Sequence, residues 1–445
     1  MPFRIEVQSL IPTQKFERLC RYLREAMKIN LQDVAQVSFY KIDTNESLPQ
    51  KILDEVFSDP IMLKVHTSAP PYHFKTGSYS TVIEVTFRPG VTDNPGHTAG
   101  EALALLGHPA QVYSGEMYFL IGEINETQAH EIAKEYFGND LIQKIEVFNA
   151  ADFAQRPRFS DIAIPQVHLE GKGQVEKVDL HVSDQELLSM NERQCLALTL
   201  EELHFIRQHF DQKENREKRQ KMGLPLELTD VELEIIAQTW SEHCKHKIFA
   251  AEIDYTGPDG QNETINGLFK TFIRGATEKV KSDRQLDWLI SVFSDNAGIV
   301  RFDKNIDLCI KVETHNSPSA LDPYGGALTG ILGVNRDILG CGLGARPIAN
   351  TDVFCFAPPE LSESAKEILP ATVKSPRRIM EGVHKGIEDG GNKSGIPTVN
   401  GAFYFHEDYA GKPLVFCGTV GALPPAVGHR PSAEKKINPK DRIVM

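Results

Sequence analysis

The chain has 445 residues, a net charge of −13 and 41% hydrophobic residues. This length predicts two to three domains of a globular protein, and no apolar run approaches the ~20 residues that a membrane helix needs. The acidic balance argues against a nucleic-acid partner, which would need a basic face. Seven cysteines without paired spacing indicate free thiols. We therefore expect a cytoplasmic protein without a membrane partner, while small anionic substrates stay open.

The N-terminal third, residues 1–150, contains an internal repeat with an offset near 80. The triplet at 45–47 recurs at 125–127, and the strand-like segment at 4–7 recurs at 82–85. Each repeat has the pattern strand, helix, strand, helix and short strand. We expect one tandem-repeat α/β domain, in which two such repeats can pack face to face and which contains no constellation of nucleophile, base and metal ligand.

Residues 151–228 are predicted to be a partly helical linker. The stretch 183–210 has the apolar spacing and capping signals of one amphipathic helix. The stretch 211–221 is dense in charge, with acids between the bases. A solvated helix or linker is therefore favoured there over a phosphate-binding patch.

A nucleotide-binding α/β domain is predicted over residues 229–425, and it begins with a capped helix. Thr229 and Glu232 have the spacing of a capping box. Residues 426–445 are expected to be a linker and the start of a further, truncated domain. The apolar face of the first helix is predicted to consist of Val231, Ile235, Ile236 and Trp240.

The segment SEHCKHKIF, residues 241–249, contains two histidines that lie one turn apart if the helix continues. His243 and His246 are then compatible with a zinc pair, although the further ligands of a structural zinc site are missing at recognisable spacing. Cys244 is expected to be a small core residue rather than a nucleophile.

The strongest chemical signal begins at residue 311. Lys311, Glu313 and His315 alternate directly after an apolar stretch that predicts a buried strand. If that strand reaches His315, a cation, a carboxylate and a titratable base project from one face. The alternatives are a structural ion pair at the end of a strand and a satisfied core histidine.

Seven glycines follow this strand, with Arg336 and Asp337 between them. Backbone N–H groups beside glycine can approach an anion closely and can adopt positive φ. Together with the preceding residues, this run predicts a nucleotide phosphate held with magnesium. The glycines are at positions 325, 326, 330, 333, 340, 342 and 344.

Four separated motifs carry a resemblance to a known family. SEHCKHKIF, KVETHNSPSA, the GGALTG…NRD run and GARPIA follow one another in order, over roughly residues 215–445. Together they resemble phosphoribosylformylglycinamidine synthase, an ATP-dependent amidotransferase and ligase of purine biosynthesis. The repeat in 1–150 resembles the family's small accessory subunit. The resemblance implies an α+β fold with a tandem accessory-subunit-like α/β repeat domain, a helical linker and an aminoimidazole ribonucleotide synthetase-like N-terminal domain.

The resemblance implies a reaction and its cofactors. ATP would phosphorylate the amide oxygen of formylglycinamide ribonucleotide, and ammonia from glutamine would displace phosphate from the iminophosphate to give formylglycinamidine ribonucleotide. ATP and Mg²⁺ are the implied cofactors. Lys311 and His246 would contact ATP, although the smaller form of the family has a tyrosine in place of His246. Glu313 and Asp337 would bind Mg²⁺, which prefers hard carboxylates.

The resemblance also assigns catalytic and substrate positions. His315 would be the proton acceptor, because imidazole titrates in the required range. His243 matches the family's other active-site histidine. Ser317 replaces a second histidine that many members have. The substrate-contacting positions would be Thr314, Asn316, Ser317 and Arg336.

Partners follow from what the sequence lacks. It contains neither the second, homologous synthetase half nor a glutaminase domain, so we expect it to be an N-terminal portion that is weak or inactive alone. Its partners would be a glutaminase chain and either the remaining half or a second copy that pairs with an open sheet. One alternative is a non-catalytic scaffold for the glutaminase. Another is a kinase or another synthetase of the same fold, which the SEHCKHK motif disfavours.

Overall fold

The structure is a computed structural model that describes residues 2–11, 16–25, 27–70, 72, 74, 77–159, 162–167, 173–360 and 373–442. The chain consists of two compact units. The first unit comprises residues 1–168 and 309–423, and the second comprises 169–308 and 424–445. None of the described helices is long and apolar enough to cross a membrane. The predicted domain borders at 150, 228 and 425 stay predictions.

The predicted order of elements in the repeat is confirmed. The first repeat consists of β1 (Phe3–Ser9), α1 (Glu17–Glu25), β2 (Asn30–Asp43), α2 (Gln50–Phe57) and β3 (Leu63–His66). The second repeat consists of β4 (Tyr79–Phe87), α3 (Asn94–Leu105), β5 (Gln111–Glu123), α4 (Glu126–Ile132) and β6 (Gln143–Asn149).

The two repeats form one six-stranded sheet in the order β3-β1-β2-β5-β4-β6. The longest strands, β2 with 14 residues and β5 with 13, pair antiparallel at its centre. The prediction of face-to-face packing is therefore wrong. The apolar clusters extend across both repeats, since Leu23 and Ile132 belong to one cluster and Leu53 and Leu103 belong to the other. Pairing of β2 with β5 edge to edge lets the helices of both repeats cover these shared apolar surfaces.

A short helix, α5 (Ala150–Gln155), follows the sheet, and a helical segment of the second unit comes after it. The single helix predicted over 183–210 is two helices, because the chain leaves helical geometry at residues 194–199 and begins again at a second capping box. The charged stretch forms a helix without buried residues, as predicted. These helices are α6 (Asp184–Arg193), α7 (Leu200–Asp211) and α8 (Lys213–Lys221).

The helix predicted at Thr229 is α9 (Asp230–Thr239), and its capping box is present. Its predicted apolar face is wrong in part, because Val231 and Ile235 are exposed while Leu233 and Ala237 are buried. The helix turns this other side toward the apolar cluster of α6 and α7, against which Ile236 and Trp240 also pack.

The rest of the second unit is made of short elements. They are α10 (Glu242–Lys245), α11 (Lys247–Ala250), β7 (Glu252–Thr256), β8 (Asn262–Asn266), α12 (Gly275–Asp283), β9 (Leu289–Ser291) and β10 (Gly298–Arg301), with β15 (Ala426–Val427) and β16 (Arg430–Pro431) near the C-terminus. The strand predicted to begin at 441 lies mostly outside the described residues.

The remaining elements form a mixed sheet with two long helices on one face. Within the first unit the strand order is β13-β12-β14-β11; β12 is parallel to β13 and antiparallel to β14. The helices pack over an apolar cluster that includes Ile331, Phe354 and Val383. The elements are β11 (Asp307–Thr314), α13 (Asn316–Leu321), α14 (Pro323–Leu339), β12 (Arg346–Phe356), α15 (Pro376–Ser394), β13 (Thr398–Phe405) and β14 (Leu414–Leu423).

Candidate functional site

The candidate site lies where β11 ends and α13 begins. Lys311 and Glu313 lie on β11, as predicted, but the strand stops at Thr314. His315 has φ −107° and ψ 60° and precedes the first turn of α13, so the prediction that it continues the strand is wrong. Its N–H still donates to the carbonyl oxygen of Val415 at 2.8 Å, whereas its own carbonyl accepts from Ser319 Oγ at 2.6 Å. The strand ends here, because the carbonyl of His315 accepts a hydrogen bond from a residue of α13 and not from a neighbouring strand.

Lys311 and Asp337 meet across the gap between β11 and α14. Lys311 Nζ lies 3.0 Å from Asp337 Oδ2, and the two side chains are 31% and 29% exposed. This ion pair is the alternative that the sequence left open. Because both groups reach solvent, each can also meet a ligand. Glu313 is exposed on the same strand, two residues beyond Lys311.

The glycine run does not form the predicted anion cradle. Gly325, Gly326, Gly330 and Gly333 lie inside α14, where their N–H groups belong to the helix. Only the later part of the run has the expected geometry, with φ 56° at Gly342 and 106° at Gly344.

The helical glycines instead allow close packing around His315. A methyl group at Gly330 would lie 3.1 Å from His315 Cβ and 3.3 Å from Cys417 Sγ. A glycine also allows α15 to pack closely against α14, since a methyl group at Gly386 would lie 2.5 Å from the carbonyl oxygen of Tyr324. Spacing alone did not separate this role from phosphate binding.

His315 and the buried thiol of Cys417 both approach Gly330 of α14. Within the part of the chain that the structure describes, the buried Nδ1 of His315 has no hydrogen-bond partner. Burial raises the pKa of Cys417 well above its ordinary value, and the charges of Asp352 and Glu313 raise it further. Cys417 is therefore a neutral thiol.

A buried amide network fixes the rotation of α14. Thr419 Oγ lies 2.8 Å from the side-chain oxygen of Asn335 and 2.8 Å from that of Asn350. Since a hydroxyl donates only one proton, one of the two amides must turn its NH₂ group toward it. Asn335 directly precedes Arg336 and Asp337, so this network positions both. Sequence reasoning missed it, and its only signal was an asparagine on the apolar side of a helix.

Asp352 is a second residue that the sequence did not single out. It lies opposite Cys417 in the β12–β14 register and is almost completely buried. Its Oδ2 accepts from Thr398 Oγ at 3.0 Å, whereas its Oδ1 has no partner among the described residues. Burial raises the pKa of Asp352 to about 6.

The remaining first-unit candidates lie around the start of α13 and on α14. Asn316 Oδ1 accepts from the N–H of Val415 at 2.8 Å, which leaves its NH₂ group to face outward. Thr314, Ser317 and Arg336 are exposed. These four side chains are available to a ligand.

His243 and His246 belong to the second unit. The helix ends at Lys245, and His246 adopts left-handed geometry with φ 51° and ψ 53°, so the prediction of one continuous turn is wrong. Cys244 is exposed and not in a core, contrary to expectation. No group of three or more His, Cys, Asp or Glu residues in the described ranges could hold a metal ion.

Comparison with known families places two segments of the chain. The model of the AIR synthase related protein N-terminal domain matches residues 294–423, and that of the formylglycinamide ribonucleotide amidotransferase linker domain matches residues 187–247. The chain is similar to the N-terminal portion of phosphoribosylformylglycinamidine synthase. The resemblance seen in the sequence is thereby confirmed, and so is the mixed α/β class with a synthetase-like domain.

Curated relatives support the same family. The phosphoribosylformylglycinamidine synthase subunit PurL of Thermoplasma volcanium is 36% identical over 242 residues, which are 54% of this chain and 26% of the relative. The subunit of Chlorobium luteolum is 34% identical over 213 residues, or 47% of this chain and 23% of the relative. The chain thus spans about a quarter of the length of these curated relatives.

Solved structures with local similarity come from the same family. T. maritima PurL complexed with ADP is 30% identical and covers 46% of this chain and 26% of its own, with a TM-score of 0.30. T. maritima PurL complexed with FGAR is also 30% identical, with a TM-score of 0.28. It covers 46% of this chain and 25% of its own. The fold class rests on the family models and the strand order.

Proposed function

We propose that this chain is the N-terminal portion of a phosphoribosylformylglycinamidine synthase, with the accessory-subunit-like domain, the linker and the first synthetase domain. It would take part in the ATP-dependent amidation of formylglycinamide ribonucleotide to formylglycinamidine ribonucleotide in purine biosynthesis. The observation that carries this proposal is the ion pair of Lys311 with Asp337, with His315 four residues after the lysine, inside the segment that the AIR synthase model matches. A cation, a carboxylate and a base are the groups that such phosphoryl and amino transfer needs.

Lys311 is the proposed contact for the ATP phosphates, with His246 as a further nucleotide contact. Glu313 and Asp337 are the proposed magnesium ligands. Two carboxylates fit this ion, because Mg²⁺ is held by one or two carboxylates together with water and substrate phosphates. When bound, Mg²⁺ would neutralise charge on the phosphates. Lys311 already neutralises Asp337 at 3.0 Å, so it also keeps this carboxylate in place before the nucleotide arrives.

His315 is the proposed proton acceptor. Its unpartnered Nδ1 supports this role, since the nitrogen is not already committed to another group among the described residues. The glycine at 330 sets the distance between the imidazole and α14. His243 is proposed as the second active-site histidine. The proposed substrate contacts are Thr314, Asn316, Ser317 and Arg336, of which the arginine can bind a phosphate with two N–H groups.

The sheet face opposite α14 and α15 supports the proposed partner. Ile310 on β11 is 51% exposed, and Val312 on the same strand is 45% exposed. Apolar side chains along a sheet face favour an interface. We propose that the homologous second half, or a second copy, covers this face, and that a glutaminase chain supplies ammonia.

The test is an assay for formylglycinamidine ribonucleotide with ATP, Mg²⁺ and ammonia, in which the chain is combined with the missing half of a relative. Lys311→Met should lower kcat/KM by about 100-fold or more, because it removes a cation that faces the phosphates. Lys393→Met, on the exposed side of α15, is the matched control and should leave the rate unchanged.

Calorimetry with ATP separates this proposal from a non-catalytic scaffold. The proposal requires magnesium-dependent binding that Lys311→Met weakens. A chain that binds no ATP, or that binds it equally well after the substitution, would be a scaffold for the glutaminase.

A further inference from the structure

A cavity of about 470 Å³ lies inside the first unit, between the N-terminal repeat and the start of α15. We call it the junction cavity. Its volume is within the range of small-molecule sites, and it is remote in sequence from every residue of the candidate site. The residues that matter for its chemistry are Tyr22, Leu23, Ile29, Tyr136, Lys374 and Arg377.

Lys374 is a largely buried cation at the cavity wall. Its side chain is only 8% exposed and lines the cavity. In the described ranges its ammonium has no hydrogen-bond or ion-pair partner. Burial lowers the pKa of Lys374 and neighbouring Arg378 lowers it further, although Asp140, Asp322 and Glu135 act in the opposite direction. A buried charge without a direct partner is costly, and an anion bound in the cavity would offset this cost.

Arg377 adds a second unused donor. Its Nε is buried and has no partner among the described residues. Its terminal nitrogen lies 3.1 Å from Glu360, and its guanidinium carbon lies 4.6 Å from the centre of the Tyr22 ring. The side chain is thus held in place at the cavity wall while one N–H stays available.

The acids in the cavity wall are already paired or exposed. Asp140 Oδ2 lies 2.9 Å from Lys134 Nζ, and a hydrogen bond from that lysine lowers the pKa of Asp140. Glu135 accepts a hydrogen bond from Ser375 Oγ. Glu131 is exposed. None of the three is in ion-pair or hydrogen-bond contact with Lys374, although Asp140 and Glu135 act on it at longer range.

The same place is the N-terminus of α15, a helix of 19 residues with Pro376 at its first position. Ser375 caps it by accepting from the N–H of Arg378. The aligned peptide dipoles add partial positive charge at this end. The opposite wall is apolar and aromatic, with Leu23, Ile29 and Tyr136 from the repeat.

We propose that the junction cavity binds a small phosphorylated metabolite, whose phosphate is held by Lys374 and Arg377 and whose apolar or aromatic part lies against the repeat. The ligand has the chemistry of a nucleoside monophosphate. It would tie the repeat to the synthetase-like segment. This site is separate from the proposed reaction and does not depend on it.

The test is calorimetry on the full chain with AMP, ribose 5-phosphate and adenosine as probes. AMP should bind most tightly, ribose 5-phosphate more weakly because it lacks the base, and adenosine least because it lacks the phosphate. Lys374→Met should weaken AMP binding by about tenfold or more, since it removes a charge-assisted contact. Lys393→Met, exposed on the same helix, is the control for nonspecific charge effects. Lys311→Met changes the candidate active site and not the junction cavity, so it should leave AMP binding in the cavity intact.

The stability of the variant gives an independent readout. Because methionine replaces an unpaired buried charge by an apolar side chain of similar length, the Tm of Lys374→Met without ligand should equal or exceed that of the parent chain. AMP should raise the Tm of the parent but not of this variant. The proposal is overturned if AMP binding survives Lys374→Met but is lost in Lys311→Met, if adenosine binds as well as AMP, or if Lys374→Met lowers the Tm.

Discussion

Two sets of buried charges in the first unit are built in opposite ways. Under the N-terminal sheet, Arg4 Nη1 lies 3.2 Å from Glu84, Arg4 Nη2 lies 3.2 Å from Glu6, and Arg158 Nε lies 2.8 Å from Glu6. We call this the sheet ion cluster. In the junction cavity, Lys374 is equally buried and has no such partner among the described residues. Burial of a charged side chain alone therefore does not show its role. The presence or absence of an ion-pair partner distinguishes a structural charge from a candidate ligand-binding charge.

The sheet ion cluster should show the largest effect when it is broken. Arg4→Met would leave two buried carboxylates without their shared guanidinium, and we expect it to lower the free energy of unfolding by about 3–5 kcal/mol. Urea unfolding monitored by circular dichroism measures this. Arg18→Met, at an exposed position of α1, is the control and should change stability by less than about 0.5 kcal/mol. A loss as small as the control's would mean that the cluster is not a structural unit.

Asp352 lies between these extremes, because one oxygen is paired and the other is not. Its folded pKa of about 6 is above the ordinary value of 3.8, so the native state binds the extra proton and stability falls as pH rises from about 4 to 6. Asp352→Asn should remove this dependence and stabilise the chain at pH 7 by up to about 3 kcal/mol.

Urea unfolding between pH 4 and pH 7.5 tests this prediction. Asp408→Asn, at an exposed position, is the matched control and should follow the parent curve. Identical pH slopes for the parent and Asp352→Asn would contradict the raised pKa.

The half-exposed pair of Lys311 and Asp337 should show the smallest effect on stability. Surface ion pairs contribute little, so Lys311→Met should change the free energy of unfolding by less than about 1 kcal/mol. The same variant is expected to lose most of its activity, so a large drop in stability would indicate a structural pair instead. Thermal unfolding of the variant used for kinetics decides between the two.

Local signals in the sequence were sufficient for several elements. The capping box at Thr229 predicted the start of α9, and the alternation at Lys311 and Glu313 predicted β11, because caps and strand periodicity depend on a few adjacent residues. The motifs of the candidate site also brought Lys311 and Asp337 into one prediction, and the structure places them in contact.

Non-local packing accounts for what the sequence did not predict. The edge pairing of the repeats and the buried side of α9 both depend on partners far along the chain. Lys374 gave no signal, because the chain before α15 packs against a repeat more than 200 residues earlier, where the neighbouring Ser375 donates to Glu135. The helical glycines were misread because glycine serves equally for a phosphate loop and for a close approach of helices.

The central pairing of β2 with β5 has a consequence for how the repeat can exist. Either repeat produced alone would have its longest strand at an exposed sheet edge, which could pair with the same strand of another copy. Covalent fusion supplies the matching edge at high local concentration and so guards the chain against self-association during synthesis.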